Sequence, residues 1–399
     1  MLSKLLMTNY PNNYLFNAMG SHALLSPSSA HRWLNCTAAP RLEANVEDRG
    51  SDFAAEGSLA HAFCALKLKN FLGLPTAAEQ DEIDTLFAKY HSGEMDEHTD
   101  AYAAIVLQKF ADAKAATPDA QLLVETRLSF ENYIPDAFGT ADAIIIADDV
   151  MEVIDYKYGR GVKVTAEGNP QMKIYALGAY DKFSFDYNIK RVKMTIIQPR
   201  IDNLSEDEIS VADLLKWTDE ELRPKARQAY AGDGPQLPGT WCQFCKVKSS
   251  CRALATKCTE ATKIDPKLIS AEELARDVLP ILSTVKTWLA GVEEYALDQA
   301  LAGVSLPGWK VVEGRSVRKI VDITNAELAL TAAGYSLDAV RKPTELRSIT
   351  DLEKLTGKKR FAELCGAYID KPTGKPTLAP ESDKRPPINA ADDFAGVTI

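Results

Sequence analysis

No stretch of the 399 residues approaches the roughly 20 consecutive apolar positions that a membrane-spanning helix requires. The opening residues, MLSKLLMTNYPNNYLF, lack a sustained apolar run and a cleavage site, so no export signal is expected. Cysteine is scarce and odd in number, seven in all, which excludes a fully paired disulfide framework. In a chain long enough to bury its own core, such cysteines point to metal or catalytic use. Positive charge is in deficit, with 46 Lys and Arg against 56 Asp and Glu, a net of −10. That excludes a uniformly basic nucleic-acid coat and leaves room for a local basic site. A G-x4-G-K-[ST] phosphate loop is also absent: Gly357-Lys358-Lys359 and Gly374-Lys375-Pro376 both fail it, so no motor is expected. These absences leave a soluble protein, expected in the cytoplasm.

What is present is unevenly spread. Residues 71–100 hold one Lys and eight acids, a run read as solvated helix faces. Residues 151–200 hold nine bases against five acids, and residues 241–260 hold four bases against one. Both basic segments coincide with the motifs below. SPSSAHRWLN (26–35) and GSLAHAFCALKLKN (57–70) carry helical patterns, and a third helix is expected over 97–115. The period then becomes that of strands, in 122–130, 140–147 and 151–157. Asn169-Pro170 starts another helix and VKMTIIQP (192–199) reads as a buried strand, giving a mixed α/β core. Beyond residue 200 the reading is mainly helical, with an amphipathic run over 270–302 that places Leu274, Val278, Leu282, Val285 and Leu289 near helical spacing.

Three short pieces on that core carry chemistry. Asp142 heads an apolar strand, and Asp155 and Lys157 end the next one, two residues apart and therefore on one face. Gln171 and Tyr175 follow at helical spacing. Two aspartates on neighbouring strands offer the hard oxygen ligands that Mg²⁺ or Mn²⁺ prefers, and His61 on the second helix adds an imidazole. Lys157 beside such an ion could orient a water or steady charge on a phosphate. Glu125, in the first strand, is read as a structural acid in preference to a further ligand.

Cys242, Cys245 and Cys251 form C-x2-C-x5-C, a spacing at which three thiolates share a metal and take a fourth ligand from elsewhere. Cys36 and Cys258 compete for that place, whereas Cys64 and Cys365 are read as buried thiols. Zinc and a [4Fe–4S] cluster satisfy the same ligands.

Taken together, Gly57-x3-His61, Gly139-x2-Asp142, Asp155-x-Lys157 and Gln171-x3-Tyr175 resemble the motif series of RecB-like nucleases in the PD-(D/E)XK superfamily. One early cysteine with a late C-x2-C-x5-C resembles its iron–sulfur members, and the phrasing DYKYGRGVKV and NPQMKIYALGAY resembles a phage- and prophage-borne family of uncharacterised function. The resemblance implies a PD-(D/E)XK core, a mixed central sheet flanked by helices, with a helical C-terminal extension. It makes His61, Asp142 and Asp155 ligands of Mg²⁺ or Mn²⁺ and Lys157 the catalytic lysine, with Asp155 standing where many relatives have Glu. It makes Cys36, Cys242, Cys245 and Cys251 ligands of a [4Fe–4S] cluster, zinc being the alternative occupant. Gln171 and Tyr175 would contact DNA, and Arg160, Lys163 and Lys173 are expected around the same mouth. The implied organisation is an N-terminal helical segment (1–56), the nuclease core (57–200), a helical cysteine-rich segment (201–262), a C-terminal unit (263–370) and an extended or disordered tail (371–399).

The function expected is a metal-dependent DNA exonuclease, or an endonuclease acting at ends or flaps, in phage recombination or replication in the bacterial host cytoplasm. Its partners would be DNA ends or single strands, with a single-strand-binding or annealing protein or a separate helicase, and no membrane. The competing expectation is a non-catalytic DNA-binding or assembly protein that keeps the nuclease fold.

Overall fold

The computed structural model describes residues 23–46, 50–261, 270–314, 318–341, 346–370, 374–380 and 386–387. Two short helices, α1 (Ala30–Trp33) and α2 (Ala39–Glu43), precede three longer ones, α3 (Asp52–Leu72), α4 (Ala77–Tyr90) and α5 (Gly93–Ala116). Local chemistry sets their ends. Ser51 caps α3 by accepting from the Ala54 N–H, and Gly73 closes it in the left-handed conformation at φ 66°. Ser92 caps α5 in the same way, through the Met95 N–H.

Three strands follow, β1 (Gln121–Ser129), β2 (Phe138–Ala147) and β3 (Val150–Tyr156), then helix α6 (Pro170–Phe183) and strands β4 (Arg191–Gln198) and β5 (Asn203–Ser210). They form one sheet in the order β1-β2-β3-β4-β5. β3 and β4 are parallel and joined through α6, while the other neighbours are antiparallel. Asn169 starts α6 by accepting from the Gln171 and Met172 N–H groups, with Pro170 in the first turn where its missing donor costs nothing.

The isoleucine run of β2 is buried on both faces of the sheet. Ile144 and Ile146 join a core with α6, Phe130 and Trp33, whereas Ala143 and Ile145 join a second core with Leu59, Leu68 and Tyr102. A period of two therefore sends alternate side chains into different layers. α6 lies close enough to β1 that a methyl on Gly178 would sit 2.4 Å from Phe130 Cε1, and Phe130 is fully buried. Gly178→Ala should cost about 1–3 kcal/mol and lower the melting temperature by several degrees. An unchanged melting temperature would show that Phe130 has room to move.

One element of this sheet departs from the sequence expectation. β5 extends the sheet where helix was expected; its sequence NLSEDEIS is acidic, and alternate residues face solvent. The unpaired edge of β4 selects the conformation, and the charges suit an edge strand that must not recruit another chain. Its polar groups also hold the loop after β3, with Asn203 Nδ2 donating to Val164 O (2.8 Å), Ala166 N to Ser205 Oγ (2.9 Å) and Gly168 N to Asp207 Oδ2 (3.0 Å). The acidic run contains α4, which buries Ile83 and Glu79 and leaves most of its other residues in solvent.

After β5 come α7 (Val211–Trp217), α8 (Arg223–Ala231), α9 (Arg252–Ala261), α10 (Ala271–Glu273) and α11 (Leu279–Leu301). The chain divides into compact units at Thr284/Val285. The second unit has a small core of Ala326, Leu330, Val340, Leu352, Phe361 and Cys365 and two short ladders. One of them pairs Trp309–Gly314 with Gly374–Pro380, so part of the tail expected to be extended or disordered is a strand. The rest of that expectation, at 371–373, 381–385 and 388–399, lies outside the described residues, as do residues 1–22 of the N-terminal segment. Among the described residues no helix is long and apolar enough to cross a membrane.

Candidate active site

β2 and β3 pair from Ala143↔Ile154 to Ala147↔Val150, so one step beyond the pairing Asp142 lies opposite Asp155. Asp142 Oδ2 accepts from the Tyr156 N–H at 2.7 Å, and its Oδ1 lies 3.2 Å from His61 Nδ1 on α3. Lys157 follows β3 and places Nζ 2.9 Å from Asp155 Oδ2 and 3.1 Å from Gln171 Oε1. Gln171 Nε2 in turn donates to Asp155 Oδ1 at 3.0 Å. Asp155 Oδ2 is buried, and the Lys157 ammonium is the polar group beside it. Five residues expected to act together thus meet at one point.

Glu125 stands beside them. It stands between the pairs Val124↔Ala143 and Thr126↔Ala141, opposite Asp142, at φ 50°. A left-handed glutamate within a strand is strained, and such strain collects at functional positions. Its signal in the sequence is a lone acid after Leu122, Leu123 and Val124. With His61, Glu79 and Glu82 it lines a cleft of about 530 Å³, which reaches the site from the His61 side.

The electrostatics are those of crowded acids. Burial and then the Asp142 carboxylate push Glu125 up to about 8. Burial also raises Asp155, against the pull of Lys157. For Asp142, burial is outweighed by His61 and the Tyr156 N–H, and its carboxyl is lowered. Burial opposes charge on His61, yet Asp142 more than offsets it and pushes the imidazole up to about 9. Both Glu125 and His61 hold their protons more tightly folded than unfolded. Their stabilisation is complete below about pH 4.5 and 6.5 respectively and is lost as pH rises through about 8 and 9. The melting temperature of chelator-treated protein should therefore fall between about pH 5 and 9, and Glu125→Gln should flatten the lower part of that fall. A melting temperature that rises across this range would show that these protons are not held by folding.

The expected nucleic-acid rim is only partly assembled. Arg160 is exposed with its guanidinium 3.8 Å from Glu94, and Lys163 is exposed on the same loop. Lys173 turns instead to Trp217, its ammonium 5.1 Å from the ring centre. Tyr175 is buried against Phe130 and packs on Gly139, where a methyl would lie 3.0 Å from its ring. Its ring packs there, and its hydroxyl shares a side-chain hydrogen bond with Gln171.

The cysteines form a second centre. Cys36, Cys242, Cys245 and Cys251 line one small cavity, and Cys258 is not among its lining residues. The Gly239 N–H donates to Cys242 Sγ at 3.4 Å. The early and late segments are tied together: Arg32 donates to Phe244 O (3.2 Å) and pairs with Glu43 (3.0 Å), whose Oε1 accepts from the Lys246 N–H (2.7 Å). All seven cysteines are free, and burial followed by Glu43 pushes Cys245 up to about 12, so a metal would have to displace its proton. Cys64 and Cys365 are buried within hydrophobic cores.

Among the described residues no three His, Cys, Asp or Glu side chains stand in the geometry of a formed metal site. The donor chemistry nevertheless suits an ion. Asp142 repels both Glu125 and Asp155 in a buried place that a divalent cation would neutralise.

Comparison with known proteins places residues 22–386 within a family model described as a protein of unknown function, DUF2800. A solved structure titled "Crystal structure of SSO0001" matches at 15% identity and a TM-score of 0.23, covering 54% of this chain and 95% of that one.

Proposed function

The chain belongs to the DUF2800 family of proteins of unknown function, and from its own residues we propose that it is a metal-dependent deoxyribonuclease with a PD-(D/E)XK core. The observation that carries this reading is the meeting of Asp142, Asp155, Lys157 and His61 beside an open cleft. Asp142, Asp155 and the imidazole of His61 would hold Mg²⁺ or Mn²⁺, with Glu125 as a further oxygen donor. The bound ion would act as a Lewis acid toward a phosphodiester. His61 must give up its proton to bind, which its Nδ1 contact with Asp142 otherwise favours keeping. Gln171 fixes Asp155 and Lys157 relative to each other, and the Lys157 ammonium is placed to steady negative charge that grows on the phosphate.

The substrate in this reading is DNA, at ends or as single strands, in phage recombination or replication within a host cytoplasm. A helicase or single-strand-binding protein would be a separate partner. Cys36, Cys242, Cys245 and Cys251 would hold a [4Fe–4S] cluster, or zinc, as a staple between the early and late segments. One observation favours the second reading, a non-catalytic DNA-binding or assembly protein: the charges of His61 and Lys157 are already paired internally.

Incubating end-labelled single- and double-stranded DNA with Mg²⁺, Mn²⁺ or chelator separates the two. The nuclease reading expects cleavage that needs the metal. Intact DNA under every condition would favour the assembly protein.

A further inference from the structure

Helix α11 is apolar on two faces. Thr284 and Gly291 are buried, and each stands two residues, roughly 200° of helical rotation, after an exposed leucine. Those leucines, Leu282 (37% exposed) and Leu289 (49%), belong to a stripe with Val285, Val292 and Ala296, none of which is buried. The stripe advances in alternating steps of three and four residues, the spacing of a seam between two helices. Nothing in the proposed nuclease site uses it. Contiguous apolar side chains left in water along a helix mark an interaction surface.

The flanking charges say what covers it. Lys286 and Glu293 are exposed, seven residues apart, and follow Val285 and Val292 on the same edge of the stripe. Neither is ion-paired with another described residue. Two antiparallel copies of this helix related by a two-fold axis near Leu289 and Ala290 would bring Lys286 of each against Glu293 of the other, twice. A parallel pair would set Lys286 against Ile281 and Glu293 against Trp288, with no charge partner. We propose that α11 is the interface of an antiparallel homodimer, with Leu282, Val285, Leu289 and Val292 forming its seam and the Lys286–Glu293 pairs fixing its direction.

Sedimentation equilibrium of the full chain at low salt tests this. The wild type should show a monomer–dimer equilibrium, and Leu289→Glu should be monomeric with unchanged circular dichroism, since the side chain it replaces is exposed. Lys286→Glu should weaken the dimer about tenfold, and Lys286→Glu/Glu293→Lys should restore it to within about threefold. The same Lys286→Glu change would be nearly silent in a parallel pair. A monomeric wild type, another stoichiometry, a dimer that survives Leu289→Glu, or a charge swap that fails to rescue would each overturn the proposal.

Discussion

Asp155→Asn should abolish DNA cleavage, lowering the rate by at least about 10³-fold while the fold survives. The amide matches the carboxylate in shape, and it removes a buried acid that burial already disfavours as an anion. Asp142→Ala should silence the enzyme equally but cost stability, because the Tyr156 N–H would lose its buried acceptor at a cost of about 1–3 kcal/mol. Lys157→Met keeps the length of the side chain and removes its charge, so activity should fall by a similar factor to Asp155→Asn. Melting curves recorded beside the cleavage rates separate lost chemistry from lost folding. Variants that are folded and cut normally would detach the reaction from this site.

The second large effect concerns the cysteines. Protein purified anaerobically should be brown and contain iron and sulfide, and alanine at Cys36, Cys242, Cys245 or Cys251 should bleach it. Cys258→Ala should stay brown, because its thiol is not part of the cavity that the other four line. Cys36 and Cys242 are some 200 residues apart in sequence, a separation at which a cross-link constrains the unfolded chain strongly. Loss of Cys36 should accordingly cost about 3–5 kcal/mol of stability as well as the metal, by analogy with a long-loop disulfide. Colourless protein with one equivalent of zinc would keep the four thiolates and discard the iron. A bleached Cys258→Ala protein beside a brown Cys36→Ala protein would reverse the choice of fourth ligand.

Much of this centre could be read before any coordinates. Asp155 and Lys157 share a strand face by period alone, and the short connection between β2 and β3 sets Asp142 opposite Asp155. Asn169-Pro170 announces α6 and with it Gln171. What escaped depends on partners distant in sequence. Glu125 stands opposite Asp142 because β1 lies beside β2 and because one residue takes φ 50°, and neither is written in LLVETRLSF. β5 is a strand because β4 needs an edge partner, which overrides its acidic composition. Lys173 and Tyr175 carried the right residue types at the right spacing, yet the helix turns one to Trp217 and buries the other on Phe130 and Gly139. Helical spacing fixes which residues share a face and leaves open what that face meets.

Titration of Mn²⁺ into chelator-treated protein, with bound manganese followed by electron paramagnetic resonance and cleavage of labelled DNA in the same samples, tests the central claim most directly. The account predicts that binding and cleavage saturate together, that both shift to lower metal concentration as pH rises and His61 yields its proton, and that both vanish in Asp142→Ala/Asp155→Ala. Manganese binding that persists without Asp142 and Asp155, or cleavage that is indifferent to their loss, would contradict it.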